Sequence, residues 1–176
     1  SDAVTLDGRL RYSETEVDLD GFPAPVYELA DTADRSKARA WSGLLRAQIQ
    51  DVAGLDHSLS VSAYDIDRKS FSAFPSRYTA ERQVLRWTGA RGGADDAFAF
   101  VGGAERSDST ADLDGRDSID LSAGSVFGVG RLHAGERLTF TGSPRYDDPD
   151  RLRGGATARV AAAARLGTGL TLTASA

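Results

Sequence analysis

The feature that most constrains this chain is a one-for-one alternation of apolar and polar residues, repeated in about nine segments. The connections between them alternate between tight and open. Residues 138–142 read LTFTG and residues 170–174 read LTLTA, and between them Ala156, Ala158, Val160, Ala162 and Ala164 interleave with Thr157, Arg159 and Arg165. Side chains of a β-strand point to opposite faces in turn, so such a pattern makes a sheet with one apolar and one wet face. The turns at residues 134–136 and 167–169 are hairpin-sized, whereas Asp147, Asp148 and Asp150 mark a more open acidic corner.

The upstream chain keeps this rhythm. Val4, Leu6, Gly8, Leu10 and Tyr12 alternate with Thr5, Asp7, Arg9 and Arg11, and the strand runs into residues 14–20, too acidic for a core or for lipid. Residues 21–35 carry Pro and Asp without a period and read as the longest loop. The second strand, about 38–50, sets Trp41, Gly43, Leu45, Ala47 and Ile49 against Ser42, Arg46 and Gln48. The third sets Leu59, Val61 and Ala63 against Ser58, Ser60 and Ser62. Strand four, about 78–91, opposes Leu85, Trp87 and Gly89 to Arg82, Arg86 and Thr88. Strand five, 97–107, carries Phe98 and Phe100 on one face and ends in an acidic loop, 108–117. Strand six, 118–132, assigns Ile119, Leu121, Phe127 and Val129 to its apolar face and Gly124, Gly128 and Gly130 to its polar one. No segment has the period of an amphipathic helix.

Every open connection falls at one end of an up-and-down sheet and every tight one at the other. Outer-membrane barrels are built this way. Several strands are long enough to cross hydrocarbon at a tilt, which takes roughly nine to eleven residues, whereas soluble strands mostly stop near five or six. The expected fold is all-β: an antiparallel meander of about nine long strands, part of a transmembrane β-barrel, with Tyr12, Trp41, Trp87 and Phe127 as interfacial anchors. The alternative from the same pattern is a self-contained small β-barrel or β-sandwich serving as a binding or structural module.

Composition narrows the chemistry. There is no cysteine, so disulfides, thiolate catalysis and zinc–cysteine sites are excluded, and two histidines, His57 and His133, leave little for a histidine-based site. A net charge of −5 with arginines scattered singly gives no basic patch for nucleic acid. No run of eighteen apolar residues makes a membrane helix, and no secretion signal opens the chain. Ser1, Asp2 and Ala3 enter a strand at once and Ala174, Ser175 and Ala176 stop inside one, so both ends are expected to be cuts.

Candidate chemistry is sparse. Asp18 and Asp20, and again Asp112 and Asp114, sit in two Asp-Leu-Asp-Gly repeats, whose paired carboxylates could hold calcium, although Asp-Gly is also ordinary turn chemistry. Asp65 and Asp67 share a strand face beside Arg68 without a nucleophile or orienting group. No catalytic triad, nucleophile elbow or phosphate loop is present, so no enzyme activity, catalytic residue or other cofactor is expected. Phe22, Pro23, Pro25 and Tyr27 form a candidate ligand-facing loop.

Residues 61–68 (VSAYDIDR), 86–89 (RWTG), 98–106 and 137–148 (RLTFTGSPRYDD) resemble the barrel of TonB-dependent outer-membrane receptors of the vitamin B12 and siderophore type. Residues 161–176 are similar to the hairpin that precedes the closing strand of such barrels. The resemblance covers residues 1–176 as a partial barrel without plug, TonB box or closing strand. It implies a Gram-negative outer membrane with lipid and lipopolysaccharide around the wall. It further implies uptake of a scarce ligand such as cobalamin or an iron–siderophore, powered by the TonB complex through the plug.

Overall fold

The structure is a computed structural model describing residues 4–23, 25, 27–93, 95–115, 117–167 and 169–176. Ser1, Asp2 and Ala3 of the expected cut start, Ala24 and Val26 of the long loop, Ala94, Arg116 and Thr168 lie outside the described residues.

Nine strands follow one another: β1 (Val4–Gly21), β2 (Ala30–Val52), β3 (Leu55–Phe71), β4 (Ser76–Arg91), β5 (Phe98–Leu113), β6 (Asp117–Ala134), β7 (Leu138–Pro149), β8 (Gly155–Arg165) and β9 (Thr171–Ser175). They form one antiparallel sheet in chain order, each strand bonded to its sequence neighbours, and no helix occurs among the described residues. Registers run with few breaks, with shifts only near Leu19/Gly21 and Ile49/Val52 in the first two pairings.

The connections depart from expectation. At one end they are residues 22–29, 72–75, 114–116 and 150–154, and at the other 53–54, 92–97, 135–137 and 166–170. The two ends therefore differ little in loop length; the acidic stretches expected to be loops are mostly strand. Residues 14–20 belong to β1, residues 30–35 to β2, and residues 108–113 to β5.

Charge compensation across the ladder explains this. Glu14 and Glu16 of β1 stand opposite Arg39 and Lys37 of β2, with Arg39 Nε donating to Glu14 at 3.1 Å and Lys37 Nζ 2.9 Å from Glu16. Arg77 of β4 grips both oxygens of Asp67 of β3 at 3.0 Å. Opposite charges facing each other across strands favour pairing, and this is invisible when each acidic stretch is read alone.

These pairs predict a pH response. The Tyr12 hydroxyl and Arg39 hold the Glu14 carboxyl below its usual range, and Arg77 does the same for Asp67. A carboxyl whose folded pKa is depressed adds stability above its unfolded pKa, about 4, and loses it as pH falls through the folded value. The thermal unfolding midpoint should therefore be insensitive to these pairs between about pH 8 and 5 and fall only below about pH 4. Arg77→Gln should weaken the acid-side drop, measured by heating the folded protein in detergent across that range.

No hydrophobic side chain is buried among the described residues, while Leu6, Leu10, Leu45, Val61 and Leu85 are all exposed. A β-sandwich or a small filled barrel would bury such a face against a second layer. Among the described residues there is no second layer, β1 pairs only with β2, and β9 pairs only with β8.

Candidate functional site

The register sorts the side chains onto two faces. The row Gly8, Leu45, Val61 and Leu85 runs across β1 to β4, and the next row is Leu6, Ala47, Leu59, Trp87 and Ala104, which continues through Val126 and Tyr146 to Ala156. From Val4 to Tyr12 on β1, Trp41 to Ile49 on β2, and Phe98 to Ala104 on β5, this face contains no Asp, Glu, Lys or Arg. The same holds from Val126 to Leu132 on β6, Leu138 to Tyr146 on β7 and Ala156 to Ala164 on β8. Its border with the charged ladder is Tyr12 on β1 but lies level with the Leu6 row at Tyr146. The band drifts by roughly one residue per strand, which with ~4.8 Å between strands and ~3.3 Å per residue is a tilt of about 30–35°, close to that of membrane barrel strands.

Aromatic residues edge the band. Tyr12 and Trp41 are paired across strands with ring centroids 4.6 Å apart. Toward the other end Trp87 donates its indole N–H to His57 Nδ1 at 3.2 Å, and His57 Nε2 lies 3.1 Å from the Val52 carbonyl. His57 is thus a half-buried bridge between the indole and the backbone.

The opposite face is polar and rich in arginine. Arg86 and Glu105 are cross-strand partners 3.7 Å apart, and Arg86 Cζ lies 4.7 Å from the centre of the Phe127 ring. Arg145 flanks the same ring at 5.9 Å, bonds Asp147, and donates to Ser125 Oγ at 3.2 Å. Gly103 lies beneath the ring, where a Cβ would come 2.7 Å from Phe127 Cζ and 2.5 Å from the Trp87 carbonyl oxygen. The sheet thus has an uncharged, aromatic-edged face backed by a polar, arginine-rich one.

Solved structures of receptors and transporters superpose on this sheet. The siderophore receptor PirA from Pseudomonas aeruginosa superposes with a TM-score of 0.80 over 99% of this chain and 30% of its own, at 11% identity. The alcaligin outer-membrane receptor FauA from Bordetella pertussis gives 0.77 over 99% and 32%, at 11% identity. The ferric citrate transporter FecA gives 0.65 over 99% and 33%, at 13% identity. This is the fold of an outer-membrane receptor barrel wall. No protein-family model matches the sequence, and no curated protein matches it. The chain spans about a third of the length of these receptors. In such a barrel the apolar face meets lipid and the polar face lines the interior.

Two sequence expectations are corrected by the register. Phe127, expected as a lipid-interface anchor, lies on the polar face between two guanidinium groups. The apolar face of β6 is Val126, Gly128, Gly130 and Leu132, with Ile119, Leu121 and Val129 on the other side, because Ala104 pairs with Val126 and Phe98 with Leu132. Glycine presents no polar side chain to lipid, so counting Gly124, Gly128 and Gly130 as polar inverted the strand.

The remaining candidates are dispersed. Asp18 and Asp20 lie in β1 and Asp112 in β5, four strand steps or roughly 19 Å away, so the two Asp-Leu-Asp-Gly repeats cannot share one cation. Asp112 accepts the Gly115 N–H at 2.7 Å, and Asp114, at φ 56°, accepts that of Arg77 at 2.5 Å; both serve the turn. No group of three or more carboxylates and histidines converges as a metal site among the described residues. Asp65 and Asp67 lie above the apolar band on its own face, Asp67 held by Arg77. In the 22–29 loop Phe22, Tyr27 and Leu29 are exposed, and Phe74 of the neighbouring connection is 88% exposed.

Proposed function

We propose that this chain is part of the barrel wall of a TonB-dependent receptor in a Gram-negative outer membrane, taking up a scarce ligand of the iron–siderophore or cobalamin kind. The observation that carries the reading is the uncharged, aromatic-edged face that tracks obliquely across eight strands, since only lipid is a solvent for such a surface on a single sheet. The names of the structural neighbours favour an iron chelate over cobalamin. In this reading lipid and lipopolysaccharide surround the wall, the exposed aromatic residues of the 22–29 and 72–75 connections meet ligand, and energy arrives from the TonB complex through a plug. No catalytic residue is assigned.

The test uses the full-length protein in its host. It should sediment with the outer membrane, migrate in gels with the heat-dependent shift of a folded barrel, and support accumulation of radioactive iron chelates under iron limitation. A protein recovered monodisperse from detergent-free buffer would sink the reading.

A further inference from the structure

The border between the apolar band and the charged ladder carries a hollow. In the row just past the band, Tyr12, Trp41, Asp65 and Glu81 stand side by side across β1 to β4, and the row beneath is Leu10, Gly43, Ala63 and Gln83. Gly43 has no side chain and Ala63 a single methyl, so the middle of the lower row sinks between larger neighbours. The result is a depression of about 250 Å³ on the apolar side of the sheet, walled by Leu10 and Trp41 and edged by Asp65 and Glu81.

The two carboxylates break the rule that governs their surroundings. Glu14 is matched by Arg39, Glu16 by Lys37 and Asp67 by Arg77, each from a neighbouring strand. Asp65 and Glu81 instead stand directly opposite each other and form no ion pair among the described residues. Like charges directly opposite destabilise a strand pair, and beside an apolar surface less water is at hand to screen them. Such local conflicts are kept in a fold where they serve a use. A cation would resolve this one. The hollow next to it offers an apolar floor and the ring of Trp41, a surface that attracts ammonium groups. An apolar hollow and an uncompensated carboxylate pair at its rim together fit an amphiphile with a cationic head.

We propose that this hollow seats a membrane lipid whose head group carries a primary ammonium, as an ethanolamine does. The ammonium lies between Asp65 and Glu81 and against Trp41, and the acyl chain passes over Gly43 and Ala63 toward Leu45, Val61 and Leu85. Gln83, which also lines the hollow, supplies an amide donor for the phosphate or ester oxygens of the lipid. The proposal rests on reading the apolar face as lipid-facing. A lipid with an anionic head and no amine would be repelled by the two carboxylates, and a bare divalent cation would make no use of the hollow.

The test uses the full-length protein in non-ionic detergent, with lysophosphatidylethanolamine and lysophosphatidylglycerol as probes. Native mass spectrometry counts retained lipid, and thermal unfolding is followed alongside. Wild type should retain the ethanolamine lipid at least about fivefold better than the glycerol lipid and unfold at a higher temperature in its presence. Asp65→Asn with Glu81→Gln should abolish the preference and, because a repulsion is removed, should itself raise the unfolding midpoint without lipid. Asp18→Asn with Asp20→Asn removes the same charge from β1 away from the hollow and should keep the preference. A preference that survives in the Asp65 and Glu81 variant, or is lost in the Asp18 and Asp20 variant, would overturn the proposal. So would a midpoint raised by calcium alone without response to the ethanolamine lipid, the mark of a metal site. Equal retention of both lipids removes the ethanolamine site and leaves the lipid-facing wall standing, whereas retention of neither by a protein monodisperse in detergent-free buffer removes both.

Discussion

Val61→Arg should prevent or severely weaken folding of the full-length protein in membranes, while Ser62→Arg, one residue along the same strand, should be tolerated. Val61 stands between Leu45 and Leu85 in the uncharged band, and an arginine at the hydrocarbon midplane of a barrel costs about 2–4 kcal/mol. Ser62 lies on the opposite face between Leu44 and Val84, where water hydrates the new charge. The check is the fraction folded and the unfolding midpoint on heat-modifiable gels after reconstitution into lipid. The reverse order, with Ser62→Arg failing and Val61→Arg folding, would mean that the faces are assigned backwards.

Gly103→Ala should destabilise the protein by about 1–3 kcal/mol, the range for overpacking a filled position, and Gly102→Ala should change stability little. The two glycines are adjacent in β5. A Cβ on Gly103 meets the Trp87 carbonyl oxygen at 2.5 Å and the Phe127 ring at 2.7 Å, and the first of these is backbone that cannot rotate away. A Cβ on Gly102 meets only the Phe127 carbonyl oxygen at 3.9 Å, an ordinary contact. Gly102→Ala should leave the unfolding midpoint near wild type, and equal losses of stability from the two changes would refute the close approach at Gly103.

The aromatic edge shows how far reading along the chain reached. Tyr12, Trp41 and Trp87 stand on the apolar face, as the two-residue period of their strands requires. Phe127 shares a face with Ser125 and Val129 as its period requires, but the whole of β6 is turned over relative to expectation. Three glycines in that strand, Gly124, Gly128 and Gly130, carry no polarity, and only hydrogen bonding to β5 settles which set shares the apolar face. Charged stretches fail for a related reason. Glu14, Glu16 and Asp67 look like loop residues until Arg39, Lys37 and Arg77 stand beside them, and those partners are on other strands, ten to twenty-five positions away.

The sequence by itself determined that the chain makes nine antiparallel strands, which side chains share a face within most of them, and that no helix forms, because a two-residue period and turn residues are local properties. The tertiary structure alone decided how far each strand runs past the apolar band, which face of β6 continues that band, and that arginines from separate strands share one face. Those outcomes depend on register: the sheet aligns residues far apart in sequence, and only that alignment reveals where charges cancel and where they accumulate.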